Sequence, residues 1–307
     1  MRYDFTKHEN TQINTNKSDF RKRDKRTLHF LTLPSFLTLF VLTVVPLVFS
    51  LGISMFDYNI TNTQNIRFVG FSNFIRALKD DYFTSAIVIT VIQVVSTVVG
   101  QMVLGMLVAL LLSREFRGAK LMRSLYIIPM MITPIVSGIM WRMMFNADLG
   151  IINYMLGKLG VSAINWLGSP NTALATIIIT DIWLSTPFVT MILLAGIQAI
   201  SNDYYDAAAM DGVNTLQRFF YITLPLCKPM VLLALLFRIM DAIRRYDSIM
   251  AMTAGGPGIA TQTLNIYAYY QGFSYFNIGY SSALSMILLV TIFIISIILL
   301  GKIRKEQ

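Results

Sequence analysis

Six charged side chains stand where a water-soluble chain would not place them, inside or beside long apolar runs. Asp181 is the sole charge between Lys158 and Asp203, and Arg238, Asp241, Arg244, Arg245 and Asp247 crowd into ten residues of a second apolar stretch. An uncompensated charge at bilayer depth costs at least about 2.5–3.5 kcal/mol, so such groups must face one another, a bundle interior or a wet cavity. At 100° per residue, Arg238, Asp241 and Arg245 share one helical face, and Arg244 and Asp247 share another. Two readings stay open. One is mutual neutralisation: Arg238 with Asp241, Arg244 with Asp247, and Asp181 with whichever arginine it meets. The other is that Asp181, Arg238, Asp241 and Arg244 line a polar cavity, with Trp183 and Tyr246 as candidate aromatic walls. Trp183 serves core packing equally well. Trp141 and Trp166 lie near the ends of apolar runs and read as interfacial anchors. The methionines between Met140 and Met144 read as packing.

The elements that must hold these groups are membrane helices. Of 307 residues, 55% are hydrophobic and 13% charged, about half the charge of an ordinary soluble domain. No charge occurs between His29 and Asp57, between Tyr82 and Ser113, or from Ser248 to Gly301. A span needs roughly 20 apolar residues, so several runs suffice. The reading is an all-α membrane protein of about six transmembrane helices, near 28–55, 83–112, 125–145, 172–200, 230–252 and 281–301. Pro46 falls inside the first span as an expected kink, and the third span contains Pro129 and Pro134. The first apolar run exceeds the 7–15 residues of a cleavable leader, so it is read as a span.

Charge placement orients the chain. Eight of the 25 lysines and arginines fall in the first 26 positions; Arg114, Arg117, Lys120 and Arg123 form a second group, and Lys302, Arg304 and Lys305 a third. Such flanking clusters mark cytoplasmic sides, which puts both termini in the cytoplasm. Residues 1–27 are then a basic, flexible cytoplasmic tail, 28–301 the transmembrane domain, and 302–307 a short cytoplasmic end. Loops 57–81, 146–171 and 253–280 face outward. The net charge of +9 does not indicate nucleic acid, because no basic face is interleaved with aromatics. Cys227 is the only cysteine and His8 and His29 the only histidines, which gives no set of metal ligands.

The segment 201–229 carries the most specific pattern. Ser201 or Asn202 is placed to cap a short helix through Tyr204-Tyr205-Asp206-Ala207-Ala208-Ala209-Met210, with Asp203 and Asp206 near its positive end. Asp211-Gly212 supplies a turn, and a second amphipathic piece runs from Leu216 to Leu224 before Pro225 and Pro229. This is a helix–turn–helix at the membrane surface, whose alanine face permits close docking against another protein.

That run resembles the EAA loop of binding-protein-dependent ABC importer permeases. Ala207, Ala208, Asp211, Gly212, Phe219, Ile222, Leu224, Pro225 and Pro229 match its pattern. Asp206 replaces the usual Glu, Val213 the usual Ala, and Ser201 a common Pro. Leu194–Gln198, Arg238–Asp247, Thr253–Pro257, Thr261–Leu264 and Gly279–Ala283 are similar to the carbohydrate-uptake branch, the maltose and glycerol-phosphate type. The resemblance implies a type I importer permease in the bacterial cytoplasmic membrane, paired with a second, homologous permease. Tyr205, Asp206, Ala207, Ala208, Asp211 and Gly212 would form a coupling helix seated in one of two ATPase subunits. Those ATPases would bind ATP and Mg, since this chain lacks a phosphate-binding Gly-x-x-x-x-Gly-Lys-Ser/Thr loop and carries no cofactor of its own. A periplasmic or extracellular solute-binding protein would deliver a sugar, whose hydroxyls suit the intramembrane charges and whose ring faces suit Trp183 and Tyr246. The excess of arginine in the fifth span would also fit an acidic sugar or sugar phosphate. An ion-coupled secondary transporter could use Asp181 and Asp241 but would leave the elbow unexplained and should show inverted repeats. A membrane enzyme would need a nucleophile, base or metal cluster, and none stands out.

Overall fold

The computed structural model describes residues 32–114 and 116–305; the expected basic tail of residues 1–27, with His8, lies outside the described residues. The chain divides into two compact units, the first ending at Ile53 and the second starting at Ser54. The first contains all but the last residue of α1 (Thr32–Ser54), 23 residues of high hydropathy that continue helically through Pro46. At 1.5 Å per residue it is about 34 Å long, enough to cross a hydrocarbon core.

The second unit opens with a small hairpin, β1 (Phe56–Asp57) against β2 (Arg67–Phe68), in which Phe56 faces Phe68. After α2 (Ser72–Leu78), Asp80 caps α3 (Asp81–Leu112) by accepting from the Tyr82 amide at 2.9 Å. Then come α4 (Ala119–Met131), α5 (Pro134–Met144), α6 (Ile151–Lys158) and α7 (Pro170–Gln198). The elbow follows as α8 (Asn202–Met210), α9 (Thr215–Arg218) and α10 (Leu224–Leu226), joined by a π-turn over Phe219–Thr223. The remainder is α11 (Lys228–Ile243), α12 (Asp247–Met252), α13 (Leu264–Tyr269) and α14 (Ile278–Lys305).

Four helices are long and apolar enough to span: α1, α3, α7 and α14. Two bent pairs raise the number to six if each is counted as one span, α4 with α5 at 93° and the α9–α10 run with α11 at 69°. The expected architecture is therefore borne out, but two expected helices are broken. The single helix over 125–145 stops at Met131, because Pro134 excludes helical geometry before it; Ile132 and Thr133 are extended, with ψ of 133° and 143°. The helix expected over 230–252 stops at Ile243. There the Asn265 side-chain amide donates to the Arg244 carbonyl at 2.9 Å, taking an acceptor the next helical turn would have used, and Tyr246 leaves helical geometry. Helix α14 extends to Lys305, over the first residues of the expected short tail from 302. The segments read as outward loops contain α2, α6 and α13.

The core is built on α3 against α7. Gly105 makes close approach possible: a Cβ there would lie 2.7 Å from Val189 Cγ1, and one at Gly100 2.5 Å from Ile182 Cδ1. Thr176, Thr180, Thr186 and Thr190 return their hydroxyls to the carbonyl four residues earlier, which satisfies them inside apolar packing.

Asp80 also ties the chain end to α3, accepting from the hydroxyls of Tyr267 and of Tyr280, the latter at 2.7 Å. Burial raises the Asp80 carboxyl, but hydrogen bonds from these tyrosines and from the amides of Tyr82 and Phe83 outweigh it, so its pKa lies below the ordinary value. Burial and this carboxylate push Tyr267 up to about 12. A depressed acid contributes stability that is complete above its unfolded pKa of about 3.9 and is lost as pH falls through the lower folded value. Asp80→Asn should therefore flatten the fall in melting temperature of the detergent-solubilised protein below about pH 4. A wild-type slope retained in the variant would contradict the assignment.

Candidate functional site

The intramembrane charges meet where α7 faces α11 and α3. Asp181, in the middle of α7, is 1% exposed. Its Oδ1 lies 2.8 Å from Arg245 Nη2 and its Oδ2 3.9 Å from Arg238 Nη2. Asp241 Oδ2 accepts from both arginines, from Arg238 Nη1 at 2.7 Å and Arg245 Nη2 at 2.6 Å. Gln101 of α3 closes the ring: Arg238 Nε donates to its Oε1 at 2.7 Å, and its Nε2 donates to the Asp181 carbonyl at 3.0 Å. Ser185, one turn after Asp181, accepts from Arg245 at 3.3 Å. Two arginines and two aspartates thus balance, and the shared face expected for Arg238, Asp241 and Arg245 is the face they use.

Arg244 stands apart. It is exposed, its Nε donates to the Met240 carbonyl at 3.1 Å, and among the described residues it forms no ion pair with Asp247. That expected pair is corrected: the chain breaks at residues 244–246, so the two are no longer one helical turn apart.

Beside the network lies a cavity of about 380 Å³. Arg238, Asp241, Arg244 and Arg245 line it, with Ser185 and the aromatic pair Phe188 and Phe237, whose ring centroids are 6.1 Å apart at 84°. Asp181 does not line it but pairs with Arg238 and Arg245, which do, and the Asp241 side chain is 45% exposed. Trp183 and Tyr246 do not line it. Trp183 packs edge-on against Trp141 at 5.3 Å, and Tyr246 packs on Tyr269 at 5.1 Å. Trp141 and Trp166, expected as interfacial anchors, also pack inward through Phe145, and Trp166 Nε1 donates to Asn153 Oδ1 at 2.8 Å. Sequence reasoning missed Gln101, Ser185, Phe188 and Phe237. The first sits one helical turn from Thr97 on a polar stripe that could have flagged it; Phe188 and Phe237 carried no local signal.

The elbow takes the expected form. Ser201 caps α8 by accepting from the Asp203 amide at 3.3 Å, and Gly212 adopts φ +70°, which no β-carbon residue enters cheaply. Asn214 and Gln217 add a reciprocal capping box that starts α9. Asp206, Ala207, Asp211 and Gly212 are exposed, and Met210 is 90% exposed. Ala208 is buried, so the outward alanine face consists of Ala207 and Ala209. Tyr205 also turns inward: its hydroxyl meets Thr223 Oγ1 at 3.3 Å and its ring lies under Arg218 at 5.6 Å.

A helical membrane domain with a charge-lined internal cavity, and a capped elbow presented between two of its segments, has the form of a permease. The chain belongs to the family of binding-protein-dependent transport system inner membrane components, which matches residues 101–303. It is 42% identical over 271 residues to a probable ABC transporter permease protein of Sinorhizobium fredii, covering 88% of this chain and 87% of that one. It is 35% identical over 294 residues to the trehalose/maltose transport system permease protein MalF of Thermococcus litoralis, covering 94% and 98%. A solved bacterial alginate ABC transporter, in complex with an alginate pentasaccharide-bound periplasmic protein, matches 91% of this chain and 93% of its own with a TM-score of 0.78 at 20% identity, which shows the fold. The resemblance read from the elbow and the flanking motifs is borne out.

Proposed function

We propose that this chain is one of two permease subunits of an ATP-driven importer for a sugar or oligosaccharide in a bacterial cytoplasmic membrane. Both termini face the cytoplasm. The partners are a homologous second permease, two ATPases that hold ATP and Mg, and a solute-binding protein outside. Closure of the ATPases moves the elbow, and the elbow moves the segments it joins.

The observation that carries the substrate class is the cavity itself. The half-exposed carboxylate of Asp241 and the guanidinium of Arg244 offer hydrogen bonds to hydroxyls in a cavity also lined by the apolar rings of Phe188 and Phe237. The near full-length similarity to a trehalose/maltose permease supports the same reading. Asp241→Ala and Arg244→Ala are each expected to lower sugar uptake by the assembled transporter about tenfold or more, as removal of one charged hydrogen bond does. Normal uptake with normal assembly would remove these residues from the path. Uptake without the ATPases would instead identify a secondary transporter.

A second reading has its own support. Three arginines and one aspartate line the cavity, and Asp181, paired with Arg238 and Arg245, leaves Arg244 as the surplus cation. An acidic sugar or sugar phosphate would use that surplus. Arg244→Gln should then reduce uptake of a charged sugar far more than of its neutral counterpart.

A further inference from the structure

A separate cavity of about 920 Å³ lies at the elbow, between the C-terminal ends of α3 and α7, the start of α4, and the elbow helices α8 and α9. Arg114, Lys120, Arg123 and Arg218 all line it, and no carboxylate occurs among its described lining residues. Positive-inside placement accounts for basic residues near helix ends, but not for their convergence on one enclosure. Arg123 is anchored there by its Nη2, which donates to the Leu112 carbonyl at 2.6 Å. Its Nε is buried and has no hydrogen-bond partner. The cavity also receives the start of α4, which opens at Gly118 (φ +93°) without a side-chain cap, the Ala119 amide donating to the Phe116 carbonyl at 3.1 Å, so the positive helix end adds to the cations.

We propose that this cavity binds the phosphate of an anionic phospholipid headgroup. Four cations beside the positive end of a helix suit a phosphodiester, whose oxygens accept several charge-assisted hydrogen bonds at once. Its position favours lipid as the source. The cavity sits at the ends of two long apolar helices, and Leu111, Leu121, Met122 and Leu125, in the same segments, are 62%, 64%, 54% and 56% exposed, ready to receive acyl chains. The occupant would touch the elbow directly, because Tyr205 and Arg218 form one wall with their stacked ring and guanidinium. Lipid binding would therefore brace α8 against the membrane segments.

The test uses the assembled transporter in nanodiscs of phosphatidylcholine and phosphatidylglycerol, with native mass spectrometry of retained lipid. Each cation near an anionic lipid contributes about fivefold, so Arg114→Gln/Lys120→Gln should reduce phosphatidylglycerol retention roughly 25-fold. Neither residue is a packing anchor. Lys302→Gln/Arg304→Gln removes the same charge at another basic end of the chain and should leave retention unchanged. Excess inorganic phosphate should not displace the lipid. Equal losses in both double variants would overturn the site in favour of general surface charge, and displacement by phosphate would overturn the lipid as occupant. Loss of ATPase co-purification with lipid retention intact would assign the cavity to a protein partner and overturn it too.

Discussion

Asp181→Ala is expected to prevent stable assembly of the transporter, or to lower its melting temperature steeply. The substitution leaves Arg238 and Arg245, 4% and 7% exposed, sharing the one carboxylate of Asp241. Removing one partner of a buried ion pair costs about 3–5 kcal/mol, most of it the penalty of the charge left behind. That is a large part of the 5–15 kcal/mol by which folded domains are stable. Asp181→Asn keeps the shape but not the charge and should behave similarly. The decisive variant is Asp181→Leu with Arg245→Met, which removes one charge of each sign and leaves Arg238 paired with Asp241. It should recover most of the lost stability, because apolar replacement of a whole buried pair is often neutral or favourable. Size-exclusion profiles and melting curves in detergent read this directly. Wild-type stability in Asp181→Ala would mean that the network is solvated and that its distances carry no energetic weight.

The second large effect belongs to the elbow. Ala207→Trp and Asp206→Arg alter exposed positions on α8, so the fold of this chain should survive both. If α8 seats in an ATPase, each substitution should cost at least about 2 kcal/mol of docking energy, roughly 30-fold in affinity, as at a central interface residue. Sugar-stimulated ATP hydrolysis and uptake should fall together, and less ATPase should co-purify. Tyr205→Phe gives a useful contrast. Because its hydroxyl meets Thr223 of the same chain, its loss should leave docking affinity intact while weakening the link between α8 and the following segment. Wild-type uptake in Ala207→Trp would show that no close-fitting partner covers that face.

How much of this was legible before the structure varies with the physics involved. The membrane class follows from run length and charge alone, since a hydrocarbon solvent acts on every residue locally. The elbow was legible because caps and turns are short-range: Ser201 and Gly212 needed no distant partner to declare themselves. The pairing of Arg238 with Asp241 was equally readable, being one helical turn apart. By contrast, the partner of Asp181 was left open, because Arg245 lies 64 positions away and only the crossing of α7 and α11 brings it to 2.8 Å.

The apolar pattern by itself determined about six membrane segments, the positions of their charges and the surface helix between two of them. Tertiary structure decided the rest. It packed Trp183, for which both readings stood open, against Trp141 and Tyr246 against Tyr269, separated Arg244 from Asp247 by breaking the helix between them, and brought Gln101 and the Phe188–Phe237 pair to the charges. The reason is one of range. Solvent preference and helical periodicity are properties of neighbouring residues, whereas a cavity is a property of helices that meet, and nothing in a single run of residues records which faces will do so.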